Sequence, residues 1–293
     1  MSVAHNKYIE FLIMRKKIIF SGCSITAGSG WIPPSNRAIP NDIELCKQHS
    51  NLWVNLCHTE IDQFNNLDLI NIGIGGASNT DIFESTVEAI LNNHDTEVIF
   101  VQWTGMPRYN FHVGLERWDT SESMIKDNHI NRLYDHNLSN TSYTREHVNR
   151  LLDELRTMHH LHWEIIKVLK YSYIISKICQ QQGVNYYFIN GLCPWDDGYF
   201  SKLQGPNLTP EDLTMFTKTA ILDIDSRSDE DIFYLYDYIH KEYNQYPLEH
   251  NRWINLYQSF KDVCVDTNYD KVHPGTLSNI KFLNMIKAKI LSV

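Results

Sequence analysis

The stretch KKIIFSGCSITAGSGW, residues 16–31, is the segment from which the fold of this chain is most directly predicted. Its apolar part, 17–21, predicts a short buried β-strand, and the small residues after it end the strand abruptly. Ser24 stands among these small residues, at the carboxyl end of the predicted strand. Open α/β sheets bind their ligands at this edge, which makes Ser24 a candidate nucleophile.

Further apolar runs alternate with amphipathic helical patterns along the chain. Strands are predicted at 17–21, 67–72, 97–102, 184–190 and 262–265. Helices are predicted at 50–64, 79–93 and 275–291, and the pattern over 145–182 predicts either one long helix or two. The third strand is apolar on consecutive positions, as expected where helices cover both faces of a sheet. The alternation predicts a doubly wound, flavodoxin-like α/β fold, with a parallel five-stranded sheet in a three-layer α/β/α arrangement.

The length of 293 residues is sufficient for one domain with insertions. We predict a single domain over 1–293, in which 1–13 is a peripheral extension. Two stretches rich in polar and aromatic residues, 109–144 and 198–255, are predicted as long insertions near the carboxyl edge of the sheet, and the first is expected to be an irregular loop or lid.

The composition argues against several classes of function. A formal net charge of −9 and the lack of a Lys/Arg cluster beyond 15–17 disfavour a nucleic-acid partner. Six cysteines without a C-x-x-C pair predict neither a zinc site nor a disulfide scaffold, and the histidines of 159–162 are expected on a helix surface, so no metal is expected. Without a recognisable signal sequence or apolar span, a cytoplasmic protein with no membrane partner is expected.

A serine attacks a carbonyl carbon only when a base removes its proton and an acceptor orients that base. Asp270 and His273 lie three residues apart in a turn that ends at Pro274. This spacing lets the carboxylate take the Nδ1 proton while Nε2 faces Ser24. The chemistry of such a triad requires no metal or organic cofactor.

The oxyanion that forms during attack needs fixed hydrogen-bond donors. Backbone N–H groups that follow a strand-to-glycine break are suitable, and the sequence offers those of Ser24 and Gly76. A third donor is expected from a side chain on the loop that begins at Trp103 and Thr104.

Three segments resemble, in order and spacing, the motif blocks of the SGNH hydrolases, also called GDSL-like lipases and esterases. They are Gly22-Cys23-Ser24-Ile25-Thr26, Asn71-Ile72-Gly73-Ile74-Gly75-Gly76-Ala77-Ser78 and Asp270-Lys271-Val272-His273-Pro274. The resemblance spans residues 16–291. It implies that Ser24 is the nucleophile, that Gly76 is the oxyanion glycine, and that Asp270 and His273 are the acid and the base.

Two departures from the family pattern stand out. Cys23 occupies a position where the family usually has Asp. The Gly-x-Asn-Asp block of the family appears here as Gln102-Trp103-Thr104-Gly105, which lacks the usual side-chain oxyanion donor. The Thr104 hydroxyl is the expected replacement, and Asn79 is the alternative.

The residues and the resemblance together predict a serine esterase acting on acyl or acetyl esters of small molecules or carbohydrates. An O-acyltransferase with the same triad, a binding or structural module with a decayed site, and a Cys23 nucleophile are the alternatives. Substrate contacts are predicted for Arg108, through an anionic group, and for an aromatic platform made by Trp31, Trp103 and Trp195. The oligomeric state is left open.

Overall fold

A computed structural model of the chain describes residues 16–31, 42–104, 108–113, 116–121, 150, 161–191, 245–246, 249–254, 260, 263–268, 271 and 273–291. The chain divides into two compact units. The described residues of the first unit lie within 16–104, 171–191 and 249–291, and those of the second lie within 108–170 and 245–246. The prediction of a single domain stays a prediction.

In chain order the elements are β1 (Lys17–Ser21), α1 (Ser24–Ala27), α2 (Asp42–Lys47), α3 (Trp53–Glu60), a 3-10 turn (Asp62–Phe64), β2 (Asp68–Asn71), α4 (Asn79–Asn92), β3 (Thr96–Trp103), β4 (Arg108–Val113), β5 (Glu116–Ser121), α5 (Leu161–Gln182), β6 (Asn185–Asn190), a 3-10 turn (His250–Arg252) and α6 (Thr276–Ile290). The predicted helix at 145–182 is confirmed over its described part, and Gly183 ends it in the left-handed region, at φ 70°. Residues 151–160, which include two of the predicted surface histidines, lie outside the described residues.

Four parallel strands form the main sheet in the order β2-β1-β3-β6. This order, with helices between successive strands, confirms the doubly wound, flavodoxin-like prediction. Because all four strands are parallel, their carboxyl ends meet at one edge. The loops that carry Ser24, Gly76 and Thr104 all leave the sheet there.

The fifth strand predicted at 262–265 is not found among the described residues, which form the sheet from four strands. The backbone N–H groups of Val265 and Asp266 donate to Ser278 Oγ in α6, at 2.9 and 3.0 Å. This segment therefore pairs with the start of a helix. At the outer edge of β6, Trp253 bridges Phe188 in parallel, and the Phe260 N–H donates to the Asn190 carbonyl.

Apolar side chains on both faces of the sheet build the core. Phe20, Phe100 and Tyr187 occupy adjacent strands in register, and their rings stack with centroids 5.0 and 5.2 Å apart. Trp53 of α3 packs edge-on against Phe20 and against Phe282 of α6, which places these two helices on this face. A row of aromatic rings thus joins the sheet to one helical layer.

The opposite face carries the other helical layer. Thr86 of α4 donates a buried hydrogen bond of 2.7 Å to the hydroxyl of Ser21, the last residue of β1. Phe83 of α4 stacks on Tyr171 of α5, with ring centroids 4.1 Å apart. The three-layer α/β/α arrangement is therefore confirmed.

The second unit contains an antiparallel hairpin where an irregular loop was predicted for 109–144. Strands β4 and β5 pair with Phe111 opposite Trp118. The sequence of β4 alternates apolar and polar residues, which is the period of a strand with two different faces. The polar composition of the region concealed this short signal. Residues 122–144, which are the remainder of the first predicted insertion, lie outside the described residues. Residues 198–244 of the second predicted insertion also lie outside them.

In the described ranges, none of the helices has both the length and the apolar character that crossing a membrane requires.

Candidate active site

Ser24 is the first residue of the short helix α1 and follows the end of β1 by three residues. We call residues 22–28 the Ser24 turn. The Ser24 carbonyl accepts a hydrogen bond of 2.9 Å from the Ser29 N–H, and Gly28 ends the turn in the left-handed region, at φ 75°. Ser24 is 7% exposed, and its hydroxyl makes no hydrogen bond to any described residue.

The loop that follows β2 is held against the Ser24 turn. Asn71 Nδ2 donates to the Thr26 carbonyl (2.8 Å), and Asn71 Oδ1 accepts from the Gly73 N–H (2.9 Å). A Cβ on Gly73 would lie 2.6 Å from the Ala27 nitrogen, so only glycine allows this approach. The Ile74 N–H donates to the Gly22 carbonyl at 2.9 Å. The second motif block therefore lies directly beside the first.

Gly76 lies at the far end of this loop in the left-handed region, at φ 84°, and is exposed. Its N–H pairs with no backbone carbonyl among the described residues. Two residues later, Ser78 and Asp81 form a reciprocal capping box that begins α4. The cap fixes the point at which the loop must end, and with it the path of the backbone at Gly76.

Thr104 follows β3, the strand on the other side of β1. Its backbone pairs with the side-chain amide of Asn79 in α4: Thr104 N donates to Oδ1 (2.8 Å), and Nδ2 donates to the Thr104 carbonyl (3.4 Å). The Thr104 hydroxyl is buried and has no hydrogen-bond partner among the described residues. Asn79 thus orients the backbone of Thr104, and the threonine hydroxyl is unpaired within the described ranges but is enclosed, since the residue is 1% exposed.

His273 lies in the segment that leads into α6. Its carbonyl accepts from the Asn268 N–H at 2.8 Å, and Thr267 bridges Pro274 in antiparallel fashion. Lys271 closes the turn with a hydrogen bond to the Asn268 carbonyl (2.9 Å) and has a positive φ of 58°. The backbone on both sides of His273 is therefore fixed by hydrogen bonds. The predicted acid, Asp270, lies outside the described residues.

A cavity of about 430 Å³ lies between Trp31 and the segment 266–268. Its described lining consists of Trp31, His49, Asn51, Asp266, Thr267, Asn268 and Thr276. Trp31 stacks on His49 with ring centroids 4.0 Å apart, and burial lowers the pKa of this histidine. Asn268 Nδ2 is buried and finds no hydrogen-bond partner in the described ranges. Ser24 and His273 are not part of the described lining, so the cavity neighbours their segments without joining the two side chains.

The predicted aromatic platform is placed differently from one residue to the next. Trp31 is 7% exposed, and one face of its ring is covered by His49. Trp103 is 1% exposed and lies beside Phe188 in the core, so its ring offers no face to a substrate. Trp195 lies outside the described residues.

Arg108 is the first residue of β4, in the second unit, and its side chain is not described. Cys23, the alternative nucleophile, is completely buried, and its sulfur lies 3.9 Å from Gln102 Oε1. A thiol enclosed in this way cannot reach a substrate as the fold stands. Among the described residues there is no group of three or more His, Cys, Asp or Glu side chains that could hold a metal ion.

Sequence reasoning missed Gln102, which is completely buried at the end of β3 and accepts a hydrogen bond from Thr26 Oγ1 of the Ser24 turn. The signal that could have found it is a polar residue at the end of an otherwise apolar strand. A buried glutamine must have its oxygen satisfied, and the loop after a neighbouring strand is the nearest source of a donor.

Comparison with solved structures gives low-identity matches that extend over most of the chain. The crystal structure of TesA is 11% identical, with 94% of this chain and 98% of that chain covered and a TM-score of 0.41. A member of the lipolytic protein G-D-S-L family from Veillonella parvula DSM 2008 is 12% identical, over 94% and 99% of the two chains, with a TM-score of 0.38. The acetyl xylan esterase AlAXEase is 14% identical, over 94% and 99%, with a TM-score of 0.36.

The comparison with family models gave no match, and neither did the comparison with curated proteins. The identities are too low for these likenesses to bear on substrate or activity.

Proposed function

We propose that the chain is a serine hydrolase that cleaves carboxylic esters. Ser24 Oγ attacks the carbonyl carbon while His273 Nε2 takes its proton, and Asp270 accepts the Nδ1 hydrogen bond that orients the imidazole. His273 then returns the proton to the departing alcohol. Water attacks the acyl-serine by the same route in reverse, which releases the acid and restores Ser24.

One observation carries this proposal: the loops after both strands that flank β1 leave the sheet at the same edge as the Ser24 turn. On the β2 side, Asn71 and Gly73 hold the loop of Gly76 against the turn. On the β3 side, β1 and β3 are in register at Ser21 and Val101, and Ser24 and Thr104 each follow by three residues. Donors on either side of the nucleophile are what an oxyanion requires.

The oxyanion would receive the backbone N–H groups of Ser24 and Gly76 and the hydroxyl of Thr104. Threonine is unusual in this role, and its hydroxyl has no partner among the described residues. Because Thr104 is only 1% exposed, this donation requires that substrate binding open access to its hydroxyl. A fixed donor then stabilises developing charge without reorganisation. Acyl or acetyl esters of small molecules, carbohydrates included, are the proposed substrates.

The test is hydrolysis of p-nitrophenyl acetate, combined with labelling by a fluorophosphonate probe. Replacing the nucleophile in Ser24→Ala should abolish labelling and reduce hydrolysis by about 10³-fold or more. His273→Gln and Asp270→Asn should reduce the same rate. Ser29→Ala is the matched control, since Ser29 lies on the same loop one residue beyond the Ser24 turn. Hydrolysis that Ser24→Ala leaves unchanged would refute the assignment.

A second candidate, a binding module with a decayed site, is favoured by a specific observation. Thr104 stands where the resemblance places an asparagine donor, and its hydroxyl is enclosed, with Thr104 only 1% exposed. A site that lacks its usual oxyanion donor could bind an ester without cleaving it. The fluorophosphonate probe separates the two candidates, because a decayed site would not react.

A further inference from the structure

Gln102 is placed to act on the chain on both sides of Ser24. Its Oε1 accepts a hydrogen bond from Thr26 Oγ1, and the sulfur of Cys23 lies 3.9 Å from the same oxygen. Cys23 immediately precedes Ser24 in the sequence, and Thr26 follows it by two residues. One buried amide oxygen on β3 therefore holds the Ser24 turn that leaves β1.

Two glycines create the space that this amide occupies. A Cβ on Gly22 would overlap Thr26 Oγ1 and would lie 2.8 Å from Gln102 Cβ. A Cβ on Gly191, which follows β6, would lie 3.1 Å from Gln102 Cγ. The two strands that flank β3, which are β1 and β6, are thus each followed closely by a glycine. The Gln102 side chain occupies the space that these glycines leave at the edge of the sheet.

Packing alone does not explain a glutamine at this position. Its Nε2 is buried and has no hydrogen-bond partner among the described residues. A buried amide with unpaired N–H groups lowers stability relative to an apolar side chain of the same shape. The useful part of the side chain is therefore the oxygen that receives Thr26.

We propose that Gln102 is a positioning residue: through Thr26 it holds the Ser24 turn in one conformation and so sets the reactivity of the Ser24 hydroxyl. Its effect on reactivity rests on the proposed function. Gln102 is completely buried and does not touch substrate. Helix α1 has only four residues, so a shift of Thr26 carries Ser24 with it. A displacement of about 1 Å in a reacting group can cost about 10²-fold in rate.

Three variants test the proposal: Gln102→Met, Thr26→Val and the double variant. Thr26→Val leaves the Gln102 oxygen buried without its partner and should lower the thermal midpoint. Gln102→Met leaves the Thr26 hydroxyl unpaired but also removes the unpaired Nε2, so its midpoint should fall less. The double variant removes both groups and should recover much of that loss. The matched control is Ser21→Ala with Thr86→Val, which removes another buried hydroxyl pair (2.7 Å) from β1 on the opposite face of the sheet.

Three readouts separate positioning from simple stabilisation. They are the rate of fluorophosphonate labelling of the folded protein, hydrogen exchange of the peptide 22–29, and alkylation of Cys23 followed by mass spectrometry. Gln102→Met, Thr26→Val and the double variant should each label at least about tenfold more slowly than the unsubstituted protein. In all three, hydrogen exchange of 22–29 and alkylation of Cys23 should be faster. The double variant should regain thermal stability without regaining the labelling rate, and the control should label like the unsubstituted protein.

Labelling that recovers together with the thermal midpoint in the double variant would overturn the proposal. Unchanged exchange of 22–29 in Gln102→Met would overturn it as well. If the unsubstituted protein does not label at all, the proposed function fails. The exchange of 22–29 and the alkylation of Cys23 would then still decide whether Gln102 holds the turn.

Discussion

Asn79 and Thr104 pair through a side chain and a backbone: Thr104 N donates to Asn79 Oδ1 at 2.8 Å, and Asn79 Nδ2 donates to the Thr104 carbonyl at 3.4 Å. The asparagine comes from the first turn of α4 and the threonine from the end of β3. These bonds commit the amide of Asn79 to the loop. Asn79 and Thr104 are the two side chains predicted as oxyanion donors. The Asn79 amide is engaged with the Thr104 backbone, whereas the Thr104 hydroxyl has no hydrogen-bond partner among the described residues.

Asn79→Leu should destabilise the fold by leaving the Thr104 N–H buried and unpaired. The expected loss is about 1–3 kcal/mol in the free energy of unfolding, measured by urea denaturation. Asn92→Ala is the control, since Asn92 is an exposed residue at the other end of α4. Equal stability of the Asn79 and Asn92 variants would show that the bonds to Thr104 contribute nothing.

Thr104→Val should lower the rate of ester hydrolysis without lowering the free energy of unfolding. Valine has the shape of threonine, and the hydroxyl it removes has no partner among the described residues, so the free energy of unfolding should not fall. Ester hydrolysis should drop by about 10²-fold if the hydroxyl stabilises the oxyanion. Thr104→Ser, which keeps the hydroxyl, should retain activity. Full activity of Thr104→Val would remove Thr104 from the oxyanion site.

The strands of the main sheet were predictable because their signals are local. Runs such as 17–21 and 97–102 are apolar on consecutive positions and end in small or turn-forming residues, so a buried parallel strand is the simplest reading. Their order then follows from the α/β alternation. Ser24 follows the first of these strands, so its position at the carboxyl edge of the sheet could be predicted from the same local signal.

Two of the features that the sequence did not predict depend on partners in other segments. The segment 263–266 has strand-like residues, but Ser278 in α6 accepts from the N–H groups of Val265 and Asp266. Gln102 resembles an ordinary strand end until Thr26 is placed beside it. In these two cases a tertiary contact decided what the local pattern left open. The hairpin of β4 and β5 is a local pairing, and it was overlooked because the composition of the region is strongly polar.

Burial should order the reactivity of the described cysteines, none of which forms a disulfide with another described cysteine. Burial raises the pKa of Cys57 far above its usual range, only partly offset by the charge of Lys287. Burial also raises the pKa of Cys179 to about 12, against a smaller opposite effect of Arg252. Cys264 is the one described cysteine with partial exposure.

Alkylation with iodoacetamide at neutral pH, followed by peptide mapping, should therefore modify Cys264 first within this set. Cys57 and Cys179 should react only after unfolding, because the thiolate is the reacting species and burial suppresses it. Alkylation in denaturant provides the control, in which all these thiols should react. Early modification of Cys57 in the native protein would contradict the buried environment.

The carboxylate of Asp266 ties the segment before His273 to the start of α6. Its Oδ1 accepts from the Ser278 N–H at 2.7 Å and from the Ser278 hydroxyl at 2.5 Å, and its Oδ2 accepts from the Leu277 N–H at 2.9 Å. Burial acts to raise the pKa of Asp266, but the hydrogen bonds from Ser278 and Leu277 outweigh it, and the net pKa is lowered. These bonds satisfy N–H groups that a helix cannot satisfy internally.

Asp266→Ala should therefore change the acid limb of the stability curve. A carboxyl whose pKa is lower in the folded state stabilises the fold above its unfolded pKa, about 3.9, and loses that contribution as the pH falls through the folded value. At pH 7 the variant should lose about 1–2 kcal/mol of unfolding free energy, as for a missing helix cap. The difference should shrink as the pH falls below about 4. Urea denaturation from neutral to acidic pH measures this, with exposed Asp62→Ala as the control. Curves for Asp266→Ala and the unsubstituted protein that stay parallel into acid would mean that the ionised carboxylate does not hold α6, and that the N–H groups of Leu277 and Ser278 are satisfied without it.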